Sequence, residues 1–137
     1  MQTGIKVGDV MKTFLITISA EKSIYDAACL MKEKKVGSVL IEKNGVITAI
    51  ATQGDLVNKA LAVKQLDLTI EKIASKPLVM ISPEADLSEA AGLMGKKKIK
   101  RLLVGKERKV VGIISSTDII RVSPSLYDLI LSKHDLQ

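Results

Sequence analysis

Aromatic side chains and cysteine are scarce in this chain. Tryptophan is absent from its 137 residues, and Phe14, Tyr25 and Tyr127 are the only aromatic residues. Proteins that bind single-stranded nucleic acids commonly stack the bases on aromatic side chains, so the composition argues against that kind of binding platform. The single cysteine, Cys29, excludes an intramolecular disulfide, and we expect a reducing, cytoplasmic setting.

Histidine is equally scarce, since His134 is the only one. One histidine and one cysteine form neither a zinc-type ligand cluster nor a Ser–His or Cys–His catalytic arrangement. His134 lies close to the C-terminus, where we expect a solvated side chain. The sequence therefore predicts neither catalytic residues nor a metal site.

No apolar run approaches the roughly 18 residues of a membrane span, and the first residues do not have the pattern of a signal peptide. What the chain does contain is 47% apolar residues, so its core must consist of Val, Ile, Leu, Ala and Met. Its net charge is +6, with a pI near 9.4. That charge leaves open an anionic partner, including a nucleic acid.

The chain contains an internal repeat. Residues 5–60 aligned without gaps on residues 68–123 give 14 identities in 56 pairs at an offset of 63. A domain of about 60 residues buries only about 60% of its extended surface. We therefore expect the two copies to pack together into one module.

The sequence pattern of each copy predicts the same secondary-structure elements, in the order strand, helix, strand, strand, helix. A lead-in precedes each first strand, at residues 5–11 and 68–74, and Ser23 and Asp86 are candidate helix N-caps. We expect an α/β (α+β) fold with two pseudo-symmetric βαββα repeats, at residues 7–64 and 70–123. The tail, residues 124–137, should form a short helix at 125–133. The remaining ranges are strands at 15–18, 36–42, 46–51, 78–81, 99–104 and 109–114, a hairpin turn at 43–45, and second helices at 54–64 and 117–122.

The first helix of each copy has an apolar face at helical spacing. These faces contain Ile24, Ala28 and Met31 in one copy and Leu87, Ala91 and Met94 in the other. Both methionines are predicted to pack in the core. We also expect Cys29, aligned with Gly92, to lie on the buried face of its helix.

A hydroxyl and an aspartate recur where the last strand of each copy meets its last helix: Thr52 with Asp55, and Ser115 with Asp118. The spacing is close to that of a capping box, which is a purely structural motif. The same geometry also suits a ligand, because free N–H groups at a helix start can hold a phosphate. An aspartate there can accept hydrogen bonds from two ribose hydroxyls, and the two interpretations are compatible.

Together with the repeat and the run Gly-Ile-Ile-Ser-Ser-Thr-Asp at residues 112–118, this pattern resembles a tandem pair of CBS domains, named after cystathionine β-synthase. The resemblance extends from about Val7 to Val122. It implies two pseudo-symmetric clefts between the repeats, which commonly hold AMP, ADP, ATP or S-adenosylmethionine.

The resemblance also implies roles for individual residues. Asp118 would bind the ribose hydroxyls, and Ser115 and Thr117 would bind phosphate or ribose oxygens. Lys100 and Arg101 would contact phosphate. The adenine side of this cleft would contain Ile16, Val36, Gly37 and Ser38, and the pseudo-symmetric cleft would use Thr52, Asp55, Val79 and Ile99.

The copies differ at two places that bear on these clefts. Ala49 stands where the second copy has Gly112, and Gly37–Ser38 stand where it has Lys100–Arg101. We expect the Asp118 cleft to bind more tightly, with the Asp55 cleft weaker or vacant. The basic run at 96–101 also has a structural interpretation, as a solvated helix end.

The sequence thus predicts a regulatory module that binds an adenine nucleotide, forms a homodimer through the repeat helices and performs no chemistry. Its output would pass through a regulated partner protein or through its own oligomer. Two alternatives are a nucleic-acid-binding accessory protein, suggested by the charge, and a structural dimerisation module in which Asp55 and Asp118 only cap helices.

Overall fold

The computed structural model describes residues 2–75, 78–107 and 109–131. Each repeat forms a three-stranded sheet and two helices in the predicted βαββα order, so the expected mixed α/β fold is confirmed. The first repeat contains β1 (Thr17–Ser19), α1 (Ile24–Lys34), β2 (Ser38–Lys43), β3 (Val46–Thr52) and α2 (Gln53–Lys59). The second contains β4 (Met80–Ile81), α3 (Leu87–Lys97), β5 (Arg101–Lys106), β6 (Lys109–Ser115) and α4 (Ser116–Val122), and α5 (Tyr127–Ile130) follows.

The two sheets have the same topology. The middle strand pairs in parallel with the short first strand and antiparallel with the third, in the orders β1-β2-β3 and β4-β5-β6. Asn44 and Gly45, with φ of 54° and 77°, close the first hairpin as the sequence predicts. The register shifts at matching points, Ile41/Glu42 and Val104/Gly105.

The predicted helix boundaries agree with the structure at some points and differ at others: α4 ends at Val122 as predicted but starts one residue earlier, at Ser116. Ser23 and Asp86 are the N-caps of α1 and α3, as expected. The helix predicted at 54–64 is wrong in its second half. There α2 ends at Lys59, Ala60 leaves helical geometry with φ of −125°, and Leu61–Val63 forms a separate 3-10 turn. The C-terminal helix is the 3-10 turn Pro124–Leu126 followed by α5, and residues 132–137, with His134, lie outside the described residues.

The chain divides into two compact units that do not coincide with the sequence repeats. One, called here the Asp118 unit, consists of Met1–Phe14 and Val79–Gln137, and the other, the Asp55 unit, consists of Leu15–Leu78. The lead-in of each repeat therefore packs in the unit of the other repeat. Val7 N–H donates to the Ala85 carbonyl (2.8 Å) in the first unit, and Ile70 N–H donates to the Lys22 carbonyl (2.7 Å) in the second.

Each unit has its own apolar core, built from aliphatic residues and one methionine. Met94 and the lead-in residue Val7 are buried in the Asp118 unit, and Met31 and Ile70 are buried in the Asp55 unit. The predicted burial of both methionines is thus confirmed. The burial of lead-in residues explains why each sheet needs the segment that precedes the other repeat.

The prediction that Cys29 is buried is wrong, because its side chain is exposed. The buried positions of α1 are Ile24, Ala27 and Met31. Cys29 lies two residues from both Ala27 and Met31, which is about 200° around a helix of 3.6 residues per turn. It therefore points away from the core.

Helix α5 distinguishes the two units. It packs so closely on α3 that a Cβ atom on Gly95 would collide with the Leu129 carbonyl oxygen. Ala91 is buried in α3, whereas Ala28, its counterpart in α1, is exposed. Leu126 is fully buried beside α5, whereas its counterpart Val63 is 54% exposed.

Candidate functional site

The junction between β6 and α4 forms a complete capping box. Asp118 N–H donates to Ser115 Oγ (3.1 Å), and Ser115 N–H donates to Asp118 Oδ2 (3.0 Å). The structural interpretation of this motif is therefore confirmed. Asp118 is only 6% exposed, and the box engages one of its two carboxylate oxygens. The other oxygen, Oδ1, remains for a further partner.

Lys12 is that partner in this structure. Its Nζ lies 3.6 Å from Asp118 Oδ1. The lead-in carries it there, because Lys12 N–H donates to the Ile113 carbonyl (2.8 Å) and Ile113 N–H donates to the Lys12 carbonyl (2.9 Å). Sequence reasoning missed Lys12, since it assigned the lead-in to its own repeat. The offset of 63 aligns Lys12 with the uncharged Ser75, so the repeat gave no signal for this pairing.

Gly112 permits this approach of the lead-in to β6. A Cβ atom at this position would lie 2.5 Å from Met11 Sδ and 2.9 Å from the Lys12 carbonyl oxygen. The first repeat has Ala49 here, fully buried, and the counterpart of Met11 is the smaller Ala74. Where the lead-in crosses the last strand, a methionine therefore meets a glycine in the Asp118 unit, and two alanines meet in the Asp55 unit.

Lys100 and Arg101 lie beside the start of α4. Ser116 N–H donates to the Lys100 carbonyl (2.9 Å), and Arg101 pairs with Ser115 across β5 and β6. Lys100 and Thr117 are exposed, and Arg101 is half-buried. The structure therefore brings these predicted residues to one place in the Asp118 unit. Val79 and Ile99 are in the same unit, half-buried against its core.

The Asp55 unit repeats the arrangement with different side chains. Asp55 N–H donates to Thr52 Oγ1 (3.2 Å), and Thr52 N–H donates to Asp55 Oδ2 (3.0 Å). Gly37 and Ser38 occupy the places of Lys100 and Arg101: Gln53 N–H donates to the Gly37 carbonyl (3.0 Å), and Ser38 pairs with Thr52. Val36 and Ile16 are half-buried in this unit, and the Ile16 carbonyl accepts a hydrogen bond from Leu40 N–H (2.9 Å).

Asp55 also has a lysine partner, but from its own helix. Lys59 Nζ lies 3.0 Å from Asp55 Oδ1 and donates to the Ile73 carbonyl (3.4 Å). The counterpart of Lys59 in the other unit is Val122, and the counterpart of Lys12 is Ser75. Each aspartate thus forms an ion pair with a lysine, and the two lysines occupy unrelated positions in the repeats.

Among the residues that the structure describes, the cluster around Asp118 is the more basic of the two. It contains Lys12, Lys100 and Arg101 with a single carboxylate, whereas the counterpart cluster contains Lys59 and Asp55. Within the described residues, no group of three or more His, Cys, Asp or Glu side chains could hold a metal ion. The combination of residues from both units in one cleft stays a prediction.

A second feature of the Asp55 unit is a groove between α1 and α2, with a volume of about 680 Å³. Met31 and Leu56 line it, and the exposed side chains of Ala28 and Val57 border it. In the Asp118 unit, Ile130 and Leu131 line the matching cavity beside Met94, and it measures about 300 Å³. The C-terminal segment therefore covers in one unit what is open in the other.

The family model of the CBS domain matches this chain twice, at residues 7–62 and 70–125. The chain belongs to the CBS domain family. CBS pairs are regulatory ligand-binding modules. The CBS domain-containing protein YhcV of Bacillus subtilis is 31% identical over 114 residues, which are 82% of this chain and 81% of that protein. The uncharacterized protein MJ0450 of Methanocaldococcus jannaschii is 33% identical over 117 residues, and the match covers 81% of this chain but only 62% of that protein.

Among solved structures, the CBS domain pair of protein MJ0100 in complex with 5′-methylthioadenosine and S-adenosyl-L-methionine is similar to this chain. The TM-score is 0.79 at 28% sequence identity, and the match covers 88% of this chain and 97% of that one. None of the helices in the described part of this CBS pair has both the length and the apolarity needed to cross a membrane.

Proposed function

We propose that this CBS pair is a cytoplasmic regulatory module that binds an adenine nucleotide, AMP, ADP or ATP, with S-adenosylmethionine as the alternative ligand. Asp118 Oδ1 carries the proposal. It belongs to a carboxylate that is 6% exposed, and the capping box leaves it unengaged. A capping role alone requires only Oδ2, so an accepting oxygen remains for the hydroxyls of a ribose.

The neighbouring groups supply the rest of the proposed site. Ser115 and Thr117 would donate to phosphate or ribose oxygens, and Lys100 and Arg101 would balance the phosphate charge. Ile16, Val36, Gly37 and Ser38 would form the adenine side. The pseudo-symmetric site would consist of Thr52, Asp55, Val79 and Ile99. The complex of the MJ0100 pair with 5′-methylthioadenosine and S-adenosyl-L-methionine supports an adenosyl ligand for this chain.

Calorimetric titration with AMP, ADP, ATP and S-adenosylmethionine tests the proposal. Asp118→Ala should weaken binding by about tenfold to a hundredfold, because a charge-assisted hydrogen bond is worth about 1.5–3 kcal/mol. Asp55→Ala should have a smaller effect. The matched control is Asp26→Ala, which removes the acid of the capping box at Ser23 in α1 and is not a residue of either proposed site. Equal effects of Asp118→Ala and Asp26→Ala would contradict a ligand role.

The same titrations separate the two alternatives. A nucleic-acid-binding protein would lose affinity steeply with salt and would not select adenine nucleotides over other polyanions. In a purely structural module, Asp118→Ala would cost about 1 kcal/mol of stability and change no binding.

We further propose that two copies associate through the open α1–α2 groove of the Asp55 unit. The groove exposes Ala28 and Val57, and Tyr25, 62% exposed, lies one turn away on α1. The chain's own Ile130 and Leu131 line the equivalent position in the Asp118 unit, so the apolar surface there is already covered. Ala28→Glu should give a monomer in sedimentation velocity, while Ser125→Glu, at an exposed position after α4, should leave the assembly unchanged.

A further inference from the structure

Any ligand that uses Asp118 Oδ1 must first replace Lys12. The ammonium group of Lys12 lies 3.6 Å from this oxygen, and the Asp118 side chain is only 7% exposed. The Lys12 side chain is 65% exposed. The lysine therefore covers the free carboxylate oxygen from the solvent side, and ribose hydroxyls would compete with it for the same acceptor.

The backbone of Lys12 is fixed while its side chain is free to turn. Two main-chain hydrogen bonds with Ile113, of 2.8 and 2.9 Å, hold the residue on β6. The missing Cβ of Gly112 allows this contact. A lysine has a long flexible stem, so its charge can leave Asp118 without movement of the lead-in. Its ammonium group would then remain within reach of a ligand group close to the ribose.

In the described part of the Asp55 unit, no residue is placed as Lys12 is. Ser75 occupies the place of Lys12 and carries no charge. Lys59, the partner of Asp55, sits on the same helix and also donates to the Ile73 carbonyl, which restricts its side chain. Gly37 and Ser38 replace the basic pair. Once a ribose occupies the aspartate, Lys12, Lys100 and Arg101 remain around Asp118, whereas Lys59 remains beside Asp55 among the described residues.

We propose that Lys12 is the residue that makes the Asp118 site select phosphate-bearing adenosyl ligands over sulfonium-bearing ones. It pairs with Asp118 when no ligand is bound and with a ligand phosphate when the ribose takes Asp118. A sulfonium, which is positive, would be repelled by the displaced ammonium group. This inference rests on the proposed function, since it assumes that Asp118 binds the ribose.

Three ligands with the same adenosine core differ in the charge of the group at the 5′ position: the phosphate of AMP is anionic, the thioether of 5′-methylthioadenosine is neutral and the sulfonium of S-adenosylmethionine is positive. Calorimetric titrations would use the wild-type chain, Lys12→Ser, which copies Ser75, and Lys12→Gln, which keeps most of the aliphatic stem. The matched control is Lys6→Ser. It removes the same charge from the same lead-in, but Lys6 pairs with Glu84 at 2.9 Å instead of with Asp118.

Both Lys12 variants should bind AMP about two- to fivefold more weakly, the size of one partly solvated ion pair. Affinity for S-adenosylmethionine should rise, and affinity for 5′-methylthioadenosine should stay constant or rise slightly because Asp118 loses its competitor. The ratio of AMP to S-adenosylmethionine affinity thus falls in the Lys12 variants and stays unchanged in Lys6→Ser. Lys12→Arg should restore most of this ratio.

The outcomes distinguish failure of the inference from failure of the proposed function. If the wild-type chain binds AMP and Lys12→Ser changes the ratio no more than Lys6→Ser does, Lys12 is not the selecting residue although the sensor remains. If the wild-type chain binds S-adenosylmethionine more tightly than AMP at the Asp118 site, the assigned selectivity is overturned. If it binds no adenosyl ligand, both proposals fall.

Discussion

The two units place an aspartate at the same point of the same capping box, but the lysine that pairs with it comes from different parts of the chain. Lys59 lies four residues after Asp55 on α2. Lys12 is over a hundred residues from Asp118 in sequence and reaches it through the lead-in. The ion pair of Lys59 and Asp55 can form as soon as α2 forms, whereas the ion pair of Lys12 and Asp118 depends on how the lead-in packs. Repeats of one origin can therefore keep a motif and change what surrounds it.

The largest expected difference between the units concerns the C-terminal segment. Leu126 is fully buried, so Leu126→Ala should reduce the free energy of unfolding by about 2–5 kcal/mol. Val63, its counterpart, is 54% exposed, and Val63→Ala should change the free energy of unfolding by less than about 0.5 kcal/mol. Urea unfolding of both variants measures the difference. Equal losses would mean that α5 does not distinguish the units.

The crossing of the lead-in over the last strand gives the next largest effect. Gly112→Ala should cost about 1–3 kcal/mol because the new methyl group meets Met11 and the Lys12 carbonyl oxygen. Met11→Ala combined with Gly112→Ala copies the Ala74 and Ala49 of the other unit and should recover part of this loss. A double-mutant cycle by urea unfolding measures the coupling. Simple additivity of the two substitutions would contradict contact between these positions.

The N-caps of α1 and α3 should differ in their dependence on pH. The Asp86 carboxylate accepts a hydrogen bond from the Ser88 hydroxyl, which is the main reason that the pKa of Asp86 lies well below its usual range. The backbone N–H groups of Ser88, Thr3 and Gly4 also donate to this carboxylate and lower its pKa further. A depressed folded-state pKa stabilises the fold above the unfolded pKa, about 3.9, and the contribution disappears as pH falls toward the folded value.

Asp86→Asn should therefore lower the melting temperature at pH 7, and the gap to the wild type should narrow as pH falls below about 4. The comparison is Ser23→Ala at the start of α1, which should cost about 1 kcal/mol. The Ser23 hydroxyl does not titrate, so this loss should be similar at each pH. Thermal melts from pH 3 to 7 measure the difference in melting temperature between the wild type and Asp86→Asn. A difference that stays constant over this range would argue against the assigned cause.

The smallest effects on stability should come from the two lysines themselves. Lys12 and Lys59 have side chains that are 65% and 51% exposed, and solvent screens such pairs. Lys12→Ala and Lys59→Ala should each cost less than about 1 kcal/mol, and added salt should reduce the difference from the wild type. A loss of several kcal/mol in either variant would mean that the lysine is a structural element of its unit.

Much of the fold could be predicted from the repeat. The offset of 63 transfers each element from one copy to the other, and the caps at Ser23, Asp86, Thr52 and Ser115 follow from short-range hydrogen bonding. Cys29 was misplaced because an alignment with Gly92 says less about burial than the spacing of Ile24, Ala27 and Met31 along one helix. The resemblance to CBS pairs implied that Lys100 and Arg101 serve the same cleft as Ser115, and their contact with a ligand stays a prediction.

The sequence by itself determined the βαββα order, the capping boxes of Asp55 and Asp118, and the family. These features depend on residues close together in the chain or on the repeat. Only the tertiary structure decided which lead-in packs on which sheet, and so brought Lys12 to Asp118. It also decided that Ile130 and Leu131 lie over α3 while the groove beside α1 stays open. Both outcomes depend on burying apolar residues such as Val7 and Leu126 against distant partners, and no local pattern specifies that pairing.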